Sequence, residues 1–198
     1  MARAKAHTRA RLGKDERQTQ LLELGLREFA LQPYDELSID ELAKRAGISK
    51  GLLYHYFPTK RDFYVATVRE AARRLTEETL TADSLPPLDR LERGLMAYLD
   101  FVERHSKAYA ALMRGGIGAD PEVAAIIEGT RQDLIARMMV GTPAPESAAE
   151  RASLKLALRG WIGFVEATAI EWALEHKPSR RALIELWSRV LFAVVPMT

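Results

Sequence analysis

Hydrophobic residues recur at three- and four-residue spacing in segment after segment of this chain, a pattern that predicts an all-α protein of about nine helices. A first helix is expected from near Asp15 to about Leu31, with Leu22, Leu26, Phe29 and Ala30 on one side and Pro33 closing it. Next, Ile39, Leu42, Ala43 and Ala46 fall at i, i+3, i+4 and i+7, one buried stripe of a short helix. From Thr59 a long helix runs to about Thr81, turning Val65, Val68, Ala72 and Leu75 inward. Pro86-Pro87 breaks the chain and opens a fifth helix carrying Leu88, Leu91, Leu95, Tyr98 and Val102. A short helix over Ser106 to Arg114 ends at Gly115-Gly116-Ile117-Gly118, and Asp120-Pro121 then caps a helix that reaches Val140 and stops at Gly141. After the GTPAPES connection, two long helices follow, from Ser147 to about His176 and from Ser179 onward.

Local chemistry sharpens the segment from Ser38 to Lys60. Ser38 with Glu41 has the spacing of a capping box, and Leu37 with Leu42 that of a hydrophobic staple. Gly47 stands where a helix end most often needs φ > 0, Ile48 anchors the turn, and Ser49 is a fresh cap for a helix from Lys50 to about Tyr56. Two capped helices across a turn of about three residues, with Ala43 and Gly47 small enough for close approach, describe a helix-turn-helix. Leu53 and Phe57 pack beneath the second helix, leaving Lys50, Gly51, Tyr54 and His55, followed by Tyr56, to face outward. A cation, a glycine without steric bulk and aromatic rings with polar tips suit a nucleic-acid groove, where lysine reaches phosphate or guanine acceptors and hydroxyls bond phosphate. Thr59 with Asp62 opens the next helix and sets Lys60 in its first turn, beside N–H groups that attract phosphate. Taken singly, each of these residues reads as ordinary surface; the constellation points to DNA.

At these residues the sequence resembles the TetR family of bacterial transcriptional regulators. Leu37-Ser38, Leu42-Ala43, Ala46-Gly47-Ile48-Ser49-Lys50-Gly51, Leu53-Tyr54-His55-Tyr56-Phe57 and Lys60 match the family's signature, within a region of roughly residues 14 to 65. The resemblance implies that Ser38, Lys50, Gly51, Tyr54, His55, Tyr56 and Lys60 touch DNA; Ser49 and Leu52 complete the candidate set. Leu52 departs from the family's small or hydroxylated residue: it can meet a thymine methyl but cannot bond a phosphate.

Charge supports this placement. The net charge of +2 conceals +3 over residues 1 to 60 and −1 over the remainder, and residues 1 to 14 carry Arg3, Lys5, Arg9, Arg11 and Lys14 with no acid. That opening segment reads either as an arm following phosphates or entering a minor groove, or as a solvated tail. Hydrophobic residues at 47% and charged ones at 28% fit a soluble globular protein. The absence of cysteine excludes disulfides and thiolate metal sites and agrees with a cytoplasmic location. No signal peptide is expected, and the longest late apolar run, Val190 to Val195, is too short to cross a bilayer, so no membrane partner is expected. The expected organisation is a basic arm over 1–14, a helix-turn-helix DNA-binding domain over 15–60, and an effector-binding and dimerisation domain over 61–198 joined to it by the long helix.

The last two helices bear on assembly. Leu154, Leu158, Trp161, Val165, Ala169 and Trp172 form one apolar stripe of the penultimate helix, and Leu156, Gly160, Gly163, Ala167, Ile170 and Leu174 a second, small in its middle. A monomer has difficulty burying both, and Leu183, Leu186, Trp187, Val190, Leu191 and Val194 cover most of the final helix. A homodimer is expected through the second stripe together with Leu183, Trp187, Val190, Leu191 and Val194. A completely buried central helix in a monomer is the alternative. Family resemblance points to dimerisation through the same two helices.

Catalytic and metal chemistry is not expected, and neither is a cofactor. His7, His55, His105 and His176 lack metal-ligand spacing, and there is no Walker sequence, G-x-S-x-G or H-E-x-x-H. Family resemblance implies a small-molecule effector of unknown identity. Candidate pocket residues are Tyr98, Phe101, His105, Tyr109, Met113, Met138, Trp161 and Phe164, residue types that also serve as plain core. Glu166, between the two stripes, either binds a ligand cation or pairs with a base such as Arg159 or Arg137. The reading that unites these features is a TetR-like repressor released from a palindromic operator by an apolar or amphipathic effector. Its alternatives are a helical small-molecule-binding protein or enzyme without sequence-specific DNA binding, and a protein interaction module.

Overall fold

The computed structural model describes residues 14–195 apart from 33, 83, 114–119, 141 and 143, and among these it holds nine helices and no strand. They are α1 (Lys14–Leu31), α2 (Ile39–Ala46), α3 (Lys50–Tyr56), α4 (Lys60–Glu78), α5 (Pro87–Arg104), α6 (Ser106–Met113), α7 (Pro121–Val140), α8 (Ala148–Glu175) and α9 (Arg180–Val194). Residues 1–13 of the basic arm, the glycine cluster after α6 and Gly141 lie outside the described residues, and Lys14, the arm's last residue, begins α1.

The helix boundaries follow from local hydrogen bonding. Ser38 caps α2 by accepting from the Asp40 N–H at 3.2 Å; the expected reciprocal box with Glu41 does not form, and Glu41 is exposed. Gly47 takes φ 62°, and the Ile48 and Gly47 N–H groups donate to Ala43 and Lys44 carbonyls at 3.0 and 3.1 Å, the two bonds of a Schellman end. Ser49 accepts from the Leu52 N–H at 3.2 Å. Thr59 and Asp62 make the full capping box at the start of α4, each accepting the other's backbone N–H at 3.0 Å. Helix α4 stops at Glu78, short of the Thr81 expected, with Thr79 as its C-terminal cap, its hydroxyl on the Leu75 and Thr76 carbonyls at 2.8 and 3.2 Å.

Two hydrophobic cores result. One gathers Leu21, Leu24, Phe29, Leu37, Leu42, Leu53, Phe57 and Phe63 from α1 to α4. The other joins α5 to α9 around Leu99, Val102, Leu158, Ala169, Leu183 and Trp187. Helix α4 belongs to both, with Val65 and Val68 in the first and Ala71 and Leu75 against the second. All three indoles are satisfied: Trp161 donates to the Trp187 carbonyl at 2.8 Å, Trp187 to Thr168 at 2.8 Å and Trp172 to the Pro178 carbonyl at 2.7 Å. The first two bonds clamp α8 to α9.

The buried face of α1 is rotated from expectation. Leu21 and Leu24 are buried with Leu26 and Phe29, while Leu22 and Ala30 are half-buried. Gly25 explains the rotation, since it lets α4 come so near that a Cβ here would lie 2.4 Å from Thr67 Oγ1 and 2.9 Å from Phe63 Cζ. Thr67 is buried and bonded to the Phe63 carbonyl at 2.8 Å, so it cannot yield freely. Gly25→Ala is therefore expected to destabilise by about 1–2 kcal/mol, overpacking exceeding the gain in helix propensity. A thermal melt should show a midpoint several degrees lower; an unchanged or higher midpoint would mean that the α1–α4 contact is loose.

Candidate nucleic-acid interface and ligand cavity

Helix α3 stands on Leu53 and Phe57, both buried, and presents Lys50, Gly51, Tyr54 and His55 to solvent, with Tyr54 37% exposed. A Cβ on Gly51 would meet nothing nearer than Ser49 Oγ at 4.0 Å, so this side chain is small for no reason internal to the protomer. Leu52 and Tyr56 are half-buried, Tyr56 packing against the N-terminal core and edge-on to His55 at 5.5 Å. Ser38 and Ser49 are tied to backbone as caps. Lys60 lies at the start of α4 with its Nζ 4.3 Å from the centre of the Tyr34 ring, which packs edge-on to Tyr64 at 4.9 Å. Burial pushes the Tyr34 phenol upward, aided by the charge of Asp35, so it stays a neutral platform for that cation.

Two partners of this face were not visible in local spacing. Asp40 on α2 accepts a hydrogen bond from Lys50 Nζ at 2.9 Å and raises its pKa. Buried Glu28 on α1 binds Arg45 and fixes α2 against α1. Both are side-chain pairings across ten or more residues, for which periodicity gives no signal.

Between α4, α5, α7 and α8 lies a cavity of about 480 Å³ with mostly apolar walls. Of the residues expected to line it, Tyr98, Phe101, Tyr109, Met113, Met138, Trp161 and Glu166 do so. Phe164 does not; it falls on another side of α8, half-buried against the C-terminal core. His105 caps the C-terminus of α5 and borders a separate void of about 60 Å³ with Phe101, Tyr109 and Leu112. Burial holds its imidazole below the usual range, so it is neutral at pH 7 and no cation for the helix dipole. Within the main cavity the Tyr98 and Tyr109 hydroxyls bond each other at 2.7 Å, and burial raises both phenols well above their ordinary values. Glu166 is paired, though with neither Arg159 nor Arg137: Arg131 grips it with Nε at 2.9 Å and Nη2 at 2.7 Å.

The cavity wall reaches the N-terminal core. Val123, fully buried in the first turn of α7, belongs to that core, and Ile126 and Ile127 touch both it and the cavity. At the same place Asp120 caps α7 by accepting from the Glu122 N–H at 3.0 Å and binds Arg61 of α4 through both oxygens at 2.6 and 2.7 Å. Glu122 adds Arg61 at 3.3 Å and Arg69 at 2.9 Å.

Comparison with known proteins decides the family. Residues 87–194, more than half of the chain, match the family model described as Tetracyclin repressor-like, C-terminal domain, and residues 21–67 match Bacterial regulatory proteins, tetR family. The chain belongs to the TetR family. It is 32% identical over 120 residues to the transcriptional activator FasR of Mycolicibacterium smegmatis, covering 60% of this chain and 55% of FasR, so it spans little more than half of that relative's length. It is 25% identical over 172 residues to the regulator BetI of Cronobacter sakazakii, covering 82% of each. A crystal structure of a TetR-family transcriptional regulator from Streptomyces coelicolor superposes with a TM-score of 0.79 at 33% identity, over 92% of this chain and 80% of that one.

The faces of the two last helices in this TetR-family chain separate clearly. Leu156 and Leu174 are 74% and 60% exposed, Gly160 and Ala167 are exposed, and a Cβ on Gly160 would meet nothing within 4 Å. Gly163 is half-buried, near only Arg159. Ile170 of α8 and Leu183, Trp187 and Leu191 of α9 are instead buried in the protomer's own core and are removed from the expected interface set, because both helices turn them into the bundle. Val190 is half-buried, and Val194 with Phe192 stays exposed. Among the described residues no helix is long and apolar enough to cross a membrane, and no group of three His, Cys, Asp or Glu could hold a metal.

The junction yields a pH prediction. Arg61 holds the Asp120 carboxyl down at about 2, so its stabilisation is complete above the unfolded value of about 4 and is lost as pH falls from there toward 2. Asp120→Asn keeps a good cap while removing the charge. Its melting midpoint should lie below wild type at pH 7, the gap narrowing as pH drops from 5 to 3; a gap constant with pH would show that the ion pair is not what stabilises the junction.

Proposed function

We propose that this chain is a homodimeric cytoplasmic transcriptional repressor that binds a near-palindromic operator and leaves it when a small apolar or amphipathic effector enters the cavity. The observation that carries this reading is the α3 face: Lys50, Gly51, Tyr54 and His55 stand clear of both cores, and the helix beneath them is fixed at each end by caps. In a groove, Lys50 supplies a phosphate or guanine contact, Gly51 lets backbone approach, and Tyr54 and Tyr56 offer hydroxyls to phosphate. Ser38, Ser49, Leu52, His55 and Lys60 complete the proposed contact surface, Lys60 held in place by the Tyr34 ring.

Two copies are needed to give affinity and register, and the open stripe of Leu156, Gly160, Ala167 and Leu174 on α8 with Val194 on α9 supports a two-fold interface. Residues as small as Gly160 and Gly163 allow close backbone approach of a second helix. Such a dimer sets its two α3 helices in successive major grooves, about 34 to 36 Å apart or a multiple of that. Effector binding needs only different affinity for two arrangements of α7 against α4. Since α4 carries the helix-turn-helix at one end and cavity wall at the other, a change in its tilt alters the separation of the two α3 helices.

Titration of duplex DNA over a salt series, followed by fluorescence anisotropy, tests the face directly. Lys50→Ala should weaken binding and reduce the slope of log K on log salt by about one per protomer. Asp40→Asn, which removes a competing acid from the same surface, should tighten binding by a few fold, an effect that shrinks as salt rises. If neither substitution moves affinity or slope, α3 is not the DNA-binding element.

A further inference from the structure

Three arginines line the cavity, Arg90, Arg131 and Arg137, and the two on α7 are in different states. Arg131 is saturated by Glu166, and the pair is internally neutral. Arg137, on the same helix and also on the cavity wall, has no carboxylate partner among the described residues. Its Nε reaches the Asp133 carbonyl at 3.3 Å and its Nη1 the Thr76 carbonyl at 3.4 Å, both long, and its Nη2 is buried with no acceptor. A buried cationic donor left without a partner is costly, because both its charge and its N–H groups have lost water. Nη2 has no accessible surface as the side chain stands, so an oxyanion in the cavity would satisfy it once the guanidinium turns inward, where it binds carboxylate or phosphate oxygens with paired N–H donors.

The rest of the cavity defines what is attached to that oxyanion. Its wall on α5 runs along one face from Leu88 to Phe101, about 20 Å of helix, and it is mostly apolar. That length suits an extended chain; Thr79 stands at the middle of this wall, its carbonyl 3.7 Å from where a Cβ on Gly94 would lie, and Thr142, Tyr98 and Trp161 also line the cavity. We infer that the effector is a single-chain amphiphile with a terminal oxyanion, carboxylate or phosphate, bound by Arg137, its apolar tail lying along α5 toward Tyr98 and Trp161. The assignment rests on the effector reading above and specifies the ligand class that reading leaves open.

The test uses the full chain and three probes sharing one tail, each kept below its micelle concentration: hexadecanoate, hexadecyl phosphate and hexadecan-1-ol. Binding is followed by tryptophan fluorescence, since Trp161 lines the cavity. Wild type should bind at least one oxyanion about tenfold or more tighter than the alcohol, the range expected of a charge-assisted hydrogen bond in a buried site. Arg137→Gln should abolish that preference while alcohol affinity stays the same, and Arg137→Lys should keep part of it. Which oxyanion binds tighter distinguishes a free acid from a phosphate headgroup. Equal binding of acid and alcohol by wild type, or a preference that survives Arg137→Gln, overturns the role of Arg137 and leaves the cavity as an effector site. Failure of all three probes to bind overturns the inference and counts against an apolar effector as well. Loss of every probe in Arg137→Gln with an unchanged melting midpoint also contradicts it, because an anion contact cannot govern a neutral ligand.

Discussion

One carboxylate does two jobs at the centre of this molecule. Asp120 terminates the free N–H groups of α7 and, through its side-chain oxygens, grips Arg61 in the first turn of α4. Each group satisfies the other's charge, so the start of α7 is fixed where Val123 enters the N-terminal core. That tie adds to the apolar packing of Val123, Ile126 and Ile127, and Leu112 of α6 touches the same core. Helices α4 and α7 thus cross the junction side by side, α7 ending in cavity wall and α4 beginning just after the helix-turn-helix.

This arrangement gives a physical route from ligand to DNA in the proposed repressor. Packed interiors deform in discrete steps, because a shift that breaks one set of contacts must reach another. A ligand between α4, α5 and α7 that favours one spacing of α4 and α7 must act on the same pair of helices that Asp120 and Arg61 hold together. Glu122, which adds Arg61 and Arg69, widens that tie along α4. The cavity therefore has mechanical access to the DNA-facing end of α4 without any long chain of intermediates.

Much of the helix-turn-helix was legible in the sequence because its determinants are local. Ser49 and Gly47 act within four residues of themselves, and the staple pair Leu37 and Leu42 is buried as its spacing requires. The helix count and the doubled stripe of α8 came from periodicity for the same reason. What periodicity missed were distant pairings: Glu166 with Arg131, Lys50 with Asp40, Asp120 with Arg61. Sequence can nominate a charged residue for an ion pair, yet several bases stand at equivalent turns, and only packing chooses among them. The α1 register failed because four leucines between Leu21 and Leu26 fit two neighbouring faces, and the choice fell to Gly25, whose value lies in what α4 does. Likewise α9 is apolar nearly all round, so which side faces α8 could not be read from it. His105 and Phe164 are aromatic at plausible spacing yet sit beside the cavity rather than in it.

The central claim is that an α3 face of lysine, glycine and tyrosine reads duplex DNA twice, about a two-fold axis. Its most direct measurement is selection of bound sequences from a random duplex library at moderate salt. The account predicts an inverted repeat whose half-site centres lie about one helical turn, or a whole number of turns, apart. Recovery of a single unrepeated half-site, or of no enriched sequence, would contradict it.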